Sequence, residues 1–294
     1  MRPRSRPRVD ERAGRVPRPG DRGPRCGAVG CDRRGALGAR GDGTGAGVTI
    51  RVGTSGWSYD HWEGVLYPPG TPARDRLALY VREFPTVELN ASFYRWPRDA
   101  SFASWRRRLP EGFALSVKAP RGLTHAKRLQ APEAWAQRMS ASWHELGPRR
   151  AVLLVQLRPD HARDDDRLRS FLDRLPPWMR VAVEFRHPSW HEEAVFALLA
   201  ERGVGYCVMS GAHLPCVLRV TAPFAYVRLH GPDHDHLYAG SYSGADLAWW
   251  ADRMLEWEAG GIEVHAYFNN DGGGNAVRDA RGLIAALGHR SGGS

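Results

Sequence analysis

An acid, a guanidinium and an imidazole close an otherwise apolar run, V-A-V-E-F-R-H-P-S-W at 181–190. Charge buried in a strand costs on the order of several kcal/mol unless it is paired or put to use. Glu184 and Arg186 are two residues apart, so in an extended chain they share one face. The same spacing joins Glu88 to Asn90 in T-V-E-L-N-A-S and Arg228 to His230 in A-Y-V-R-L-H-G. Carboxylates beside an imidazole suit proton transfer, and arginines suit bidentate contact with a carboxylate or phosphate. The candidate catalytic residues are Glu184, His230, Lys118 and Glu88. The candidate substrate-binding residues are Arg186, Arg228, Asn90, Tyr94, Trp57, Gln156, His187, Asn269, Asn270 and Asp271.

Lys118 carries an argument of its own. The chain has forty Arg and two Lys, Lys118 and Lys127. A composition so biased toward Arg would be expected to have replaced a merely solvated lysine. One retained at a strand end suggests that a compact point charge or a titratable amine is needed there. Each residue also has a plainer reading. Glu184 with Arg186 could be an ion pair that holds the structure together. Trp57, Trp62 and Trp96 could simply pack. The run N-N-D-G-G-G from Asn269 could be a turn into the last helix, or its free N–H groups could bind an anion.

These residues need elements to position them. Eight short apolar runs occur at 48–52, 86–92, 114–120, 151–157, 181–190, 206–210, 225–231 and 264–270. Helical patterns separate them at 73–84, 101–109, 132–146, 165–175, 192–202, 244–259 and 276–287, with none after the sixth run. Eight strands alternating with helices over some 250 residues predict an α/β fold, a (β/α)8 barrel. A doubly wound sheet would show a G-x-G-x-x-G turn, and the first turn here is G-T-S-G-W. Barrel chemistry sits at the C-terminal strand ends. Glu88, Lys118, Gln156, Glu184, Arg228 and Asn269 all fall there, on six different strands. His125 follows the third strand and Tyr94 the second. Polar ends on six strands argue for one shared wet pocket.

Composition removes several classes. The net charge is +10, but residues 1–47 hold twelve Arg against five acids, a net +7, which leaves +3 for the other 247 residues. The body is therefore not a strongly basic nucleic-acid binder. The tail, rich in Arg, Gly and Pro, reads as a disordered extension or as sequence upstream of a misassigned start near Val48. A domain of 48–290 follows it. No apolar run reaches the roughly 18 residues needed to span a bilayer, so no membrane role is expected. The four cysteines, Cys26, Cys31, Cys207 and Cys216, match no zinc spacing and are expected to be thiols of a cytoplasmic protein.

The motifs resemble a known family. G-T-S-G-W-S-Y at 53–59, V-E-L-N-A-S-F-Y at 87–94, V-K-A-P at 117–120 and T-H at 124–125 come first. V-E-F-R-H-P-S-W at 183–190, Y-V-R-L-H-G at 226–231, Y-A-G-S-Y-S at 238–243 and Y-F-N-N-D at 267–271 complete the set. Together they are similar to the YecE-like domain-of-unknown-function family, number seventy-two. The resemblance implies a TIM-barrel-like fold over about 48–288 and supplies no activity. Where that family's pattern suggests Q-L-P-P after the fourth strand, this chain reads Q-L-R-P-D, and Arg158 is expected to alter the pocket mouth.

The favoured function is an enzyme acting on a small polar, anionic molecule, phosphate- or carboxylate-bearing or sugar-like, with no metal or cofactor. Arg and Lys crowd the few possible metal ligands. Retaining glycoside hydrolysis needs carboxyls about 5–5.5 Å apart, and Glu88 and Glu184, on the second and fifth strands, are expected to lie farther apart. Two alternatives remain. One is a nucleic-acid-binding or nuclease-like barrel using the basic tail, although Arg106-Arg107-Arg108 reads as a solvated helix end. The other is a non-catalytic ligand-binding barrel.

Overall fold

The structure is a computed structural model that describes residues 49–291. The expectations for the tail, for Cys26 and for Cys31 lie outside the described residues. The strands are β1 (Ile50–Ser55), β2 (Thr86–Leu89), β3 (Ala114–Lys118), β4 (Arg150–Gln156), β5 (Val181–Glu184), β6 (Gly205–Ser210), β7 (Phe224–Leu229) and β8 (Glu263–Phe268). The helices are α1 (Ala73–Tyr80), α2 (Asp99–Arg108), α3 (Glu133–His144), α4 (Asp165–Leu172), α5 (Glu193–Glu201), α6 (Gly244–Ala259) and α7 (Asn275–Ser291). All neighbouring strands pair in parallel, and β1 closes the barrel against β8. The β6–β7 connection carries no α-helix, as the sequence pattern indicates.

Period-two alternation sorts each strand. Val87, Val117, Val155, Val183, Val208, Val227 and Ala266 face outward and pack with the helices in one cluster. Val152, Leu154, Ala182, Cys207, Met209, Phe224, Tyr226 and Tyr267 fill the barrel interior in a second cluster. The interior also holds a hydroxyl layer: Tyr267 Oη lies 2.8 Å from both Thr86 Oγ1 and Ser116 Oγ. This layer satisfies polar groups that would otherwise be buried alone. Above it, toward the C-terminal strand ends, the inward positions become charged.

Two apolar runs outlast their strands. Asn90 takes up helical dihedrals and leads into a 3-10 turn, Ala91–Phe93. Past Glu184 the chain leaves the sheet and enters a second 3-10 turn at Pro188, a residue that cannot donate to a ladder. The thiol expectation divides at the described cysteines. Cys207 is a free buried thiol, whereas Cys216 is disulfide-bonded.

Candidate active site

Arg228 stands at the centre of the charged layer. Its Nη1 donates to Glu184 Oε2 at 2.6 Å and its Nη2 to Glu88 Oε1 at 2.8 Å. All three side chains are fully buried. One further partner of each carboxylate comes from the adjacent strand, and the third from elsewhere. Ser55 donates to Glu88 Oε1, and Tyr226 Oη donates to Glu88 Oε2 at 2.7 Å. Gln156 Nε2 and Arg186 Nε each donate to Glu184 Oε1 at 2.6 Å. The strand register makes this possible, because Ser55 sits level with Glu88 and Gln156 level with Glu184. Tyr226, two residues before Arg228, shares its face.

One guanidinium therefore bridges both carboxylates across the barrel from the second and fifth strands, each held through a different nitrogen. Glu184 is not set up as a proton donor, however. Burial alone would raise the Glu184 carboxyl, but Arg228 and then Arg186 more than reverse it and hold it well below the usual carboxylate range. Among the described residues no three His, Cys, Asp or Glu side chains gather as metal ligands would.

His230 is fully buried, and burial followed by Arg228 holds its imidazole neutral, far below its ordinary pKa. Asn269 Nδ2 donates to its Nδ1 at 3.1 Å. That bond places the ring proton on Nε2, which has no acceptor. Arg186 spends Nη1 on Tyr238 Oη at 3.2 Å and leaves Nη2 without an acceptor. Lys118 is 7% exposed. Its amine lies 4.2 Å over the Phe93 ring and makes no hydrogen bond or ion pair among the described residues. Burial, then Arg228, lowers its pKa to about 7. His125 packs on the same Phe93 ring at 4.8 Å, and burial followed by Lys118 lowers it to about 4.

The remaining candidates divide. Gln156 and Asn269 join the network directly, and Asn90 is half-buried just past β2. Asn270 turns away: its Nδ2 donates to Asp279 Oδ2 at 2.6 Å and to the Gly240 carbonyl at 3.0 Å, tying a loop to α7. Asp271 accepts from Trp62 Nε1 at 2.5 Å and pairs with His61 at 3.0 Å. His187 Nδ1 accepts from Ser189 N–H at 3.2 Å and caps a turn. Trp57 packs edge-on against Trp105 at 6.0 Å. Tyr94 is 74% exposed. Arg158 folds onto Asp160, with Nε 2.6 Å from Oδ1. Tyr226, Tyr238 and Phe93 are site residues that the sequence reading left out. Only Tyr226 carried a signal, its two-residue spacing from Arg228.

A cavity of about 240 Å³ adjoins the ends of β6 and β7, lined by Ser210, His213, Gly231, Asp233 and Tyr242 among others. None of the charged network lines it. Within that network three buried donors, Arg186 Nη2, Arg228 Nε and His230 Nε2, are left without acceptors, at a free-energy cost that packing alone does not explain.

Gly231 fixes the loop over His230. Its φ is +104°, and a Cβ there would sit 2.1 Å from the Ala239 carbonyl oxygen. Tyr238 N–H in turn donates to the His230 carbonyl at 2.8 Å, and the two rings meet edge-on at 5.3 Å. Gly231→Ala is expected to cost about 2–4 kcal/mol through backbone strain and overpacking. Urea unfolding checks this, and a loss below about 0.5 kcal/mol would contradict the close approach.

Known proteins are similar to this chain in sequence and in fold. The chain is 28% identical over 281 residues to UPF0759 protein YunF of Bacillus subtilis (strain 168), covering 81% of this chain and 94% of that one. It is 26% identical over 166 residues to UPF0759 protein YecE of Escherichia coli (strain K12), covering 54% of this chain and 58% of that one. The crystal structure of a DUF72 family protein from Thermotoga maritima MSB8 is similar with a TM-score of 0.71 and 27% identity, over 81% of this chain and 99% of that one. Residues 51–293 match the family described as Protein of unknown function DUF72, and the chain belongs to that family.

Proposed function

We propose that the C-terminal mouth of the barrel binds a small anionic molecule, bearing a carboxylate or phosphate, and acts on it without a metal. The observation that carries this reading is a cluster of donors without acceptors: Arg186 Nη2 and His230 Nε2, both buried, beside the amine of Lys118, whose side chain is 7% exposed. All three lie close enough to Glu184 to act on it electrostatically, as Arg228 does. An anion would give each an acceptor.

Charge balance supports the same reading. Glu88 and Glu184 are matched by Arg228 and Arg186, so the mouth is neutral when Lys118 is neutral and cationic when it is protonated. Lys118 is thus the group whose protonation answers the arrival of an anion. Glu184, Glu88 and Arg228 form the rigid framework, and Arg186 with His230 orients the ligand. Each carboxylate already accepts three hydrogen bonds, which leaves it a poor metal ligand. The nucleic-acid alternative rested on a tail outside the described residues, and Arg106, Arg107 and Arg108 are exposed at the end of α2, as a solvated helix end would be.

Thermal unfolding of the full chain with inorganic phosphate and a panel of small carboxylates and phosphorylated metabolites tests the reading. A binder at one hundred times its dissociation constant adds about 2.7 kcal/mol. Arg186→Gln is expected to weaken that binding at least tenfold, worth about 1.4 kcal/mol. Stabilisation unchanged in Arg186→Gln, or absent across the panel, would overturn it. Turnover of the bound molecule then separates an enzyme from a ligand-binding barrel.

A further inference from the structure

We infer that Lys118 is the nucleophile of an imine-forming site for a small aldehyde or ketone that carries an anionic group. This rests on the anion-binding reading above and adds the chemical class of the substrate.

The geometry around the amine separates a nucleophile from a general base. Lys118 is the last residue of β3, held in register against Leu154 of β4. Its backbone is fixed and its side chain is buried. A lysine acting as a proton shuttle needs a hydrogen-bonded relay through which to discharge, and none is bonded to its Nζ among the described residues. A nucleophile needs the opposite: an amine with an unobstructed lone pair in a partly dry pocket. The Phe93 ring, 4.2 Å away, covers one side of the nitrogen. Such a wall also slows hydrolysis of an imine once it forms. Burial and Arg228 hold the amine near a pKa of about 7, so a large fraction is neutral at that pH, as Schiff-base lysines require.

The step balances without an outside reagent. The amine lone pair attacks the carbonyl carbon, and the carbonyl π pair moves to oxygen. The two N–H protons pass to that oxygen, which leaves as water as the C=N bond forms. Protonation of the nitrogen by solvent gives an iminium. The iminium's positive charge then offsets the substrate's anionic group in a mouth whose other charges already cancel. Arg186 Nη2 and His230 Nε2–H are the donors left to hold that group.

The composition makes the experiment clean, because Lys127 is the chain's only other lysine and is exposed. The full chain is incubated with glyoxylate, pyruvate, glyceraldehyde 3-phosphate or the uncharged propionaldehyde, reduced with cyanoborohydride, and mapped by peptide mass. The expected result is a reduced adduct on Lys118, formed at least tenfold faster than on Lys127. At least one anionic carbonyl should react at least tenfold faster than propionaldehyde, and Arg186→Gln should erase that preference. The carboxylate and phosphate arms decide which anion the site takes. Lys118 labelled no faster than Lys127 by all four probes overturns the inference. In that case anion-dependent thermal stabilisation retained in Lys118→Arg would leave the anion site standing. Labelling of Lys118 at equal rates by charged and uncharged probes would keep the nucleophile and overturn the anionic substrate class.

Discussion

Replacing Arg228 with Met is expected to cost the fold about 3–5 kcal/mol, the usual loss when one partner of a buried ion pair is removed. Glu88 bears most of it. Glu184 keeps Arg186 and Gln156, whereas Glu88 is left with the neutral donors Ser55 and Tyr226. Adding Glu88→Gln to Arg228→Met should therefore recover about 1–3 kcal/mol, a coupling typical of residues in one network. The single variant should also gain stability relative to the native protein as pH falls, because a bare buried carboxylate is relieved by a proton. In the native protein the sign is opposite. The depressed Glu184 carboxyl contributes stability that is present above the ordinary carboxylate range and lost only as pH falls through its much lower folded value. Urea titrations between pH 4 and 8 read the gain in the variant, while the native loss falls below that window. A loss below about 1 kcal/mol for Arg228→Met would mean that water reaches the carboxylates. For the same reason Arg228 is unsuitable as a binding control, and Arg186 takes that place.

Lys118→Met is expected to do the reverse and stabilise the protein near pH 7 by about 2–4 kcal/mol. The lysine's pKa falls from 10.5 to about 7 on folding, through burial and then Arg228. At about 1.36 kcal/mol per unit, that shift is worth at most some 4–5 kcal/mol against the fold. Between those two pH values the unfolded chain binds a proton that the folded chain does not. Native stability therefore rises with pH through the window from about 7 to 10.5, and that gain is absent below about 7. The advantage of Met should accordingly shrink as pH approaches 10. Met conserves volume and keeps a contact with Phe93. A residue whose removal stabilises the fold is one kept for another purpose, the usual trade between stability and activity. A variant less stable than the native protein at pH 7 would contradict this account of Lys118.

The sequence made the barrel legible because each strand carries outward apolar residues of the same period, and a Gly- or Pro-rich break follows most of them. It was less clear about where strands end. Glu184 is the last residue of β5 and Leu89 of β2, yet Phe185 and Ser92 continue the buried pattern through the loops beyond. Burial outlasts hydrogen-bonded pairing, and a hydropathy pattern reports only burial. Within the site, Glu88, Lys118, Glu184, Arg228 and His230 were found by strand-end position. Their division of labour was not visible. Which donors reach each acid depends on register across strands, such as Ser55 beside Glu88, and no single run of residues encodes it. Tyr238 arrives from a loop that crosses the mouth at Gly231, a placement set by tertiary contact alone.

The bridge at Arg228 also bears on how the protein is made. Chains emerge from the ribosome N-terminus first, and units generally fold as they appear. Here Glu88 emerges 140 residues before the guanidinium that answers it, and β1 must wait for β8 before its open edge is paired. No early portion of this barrel is self-sufficient in charge or in pairing. A ribosome stalled between β5 and β7 holds a chain with an uncompensated acid and exposed sheet edges, a substrate for chaperones and proteases rather than a smaller stable protein.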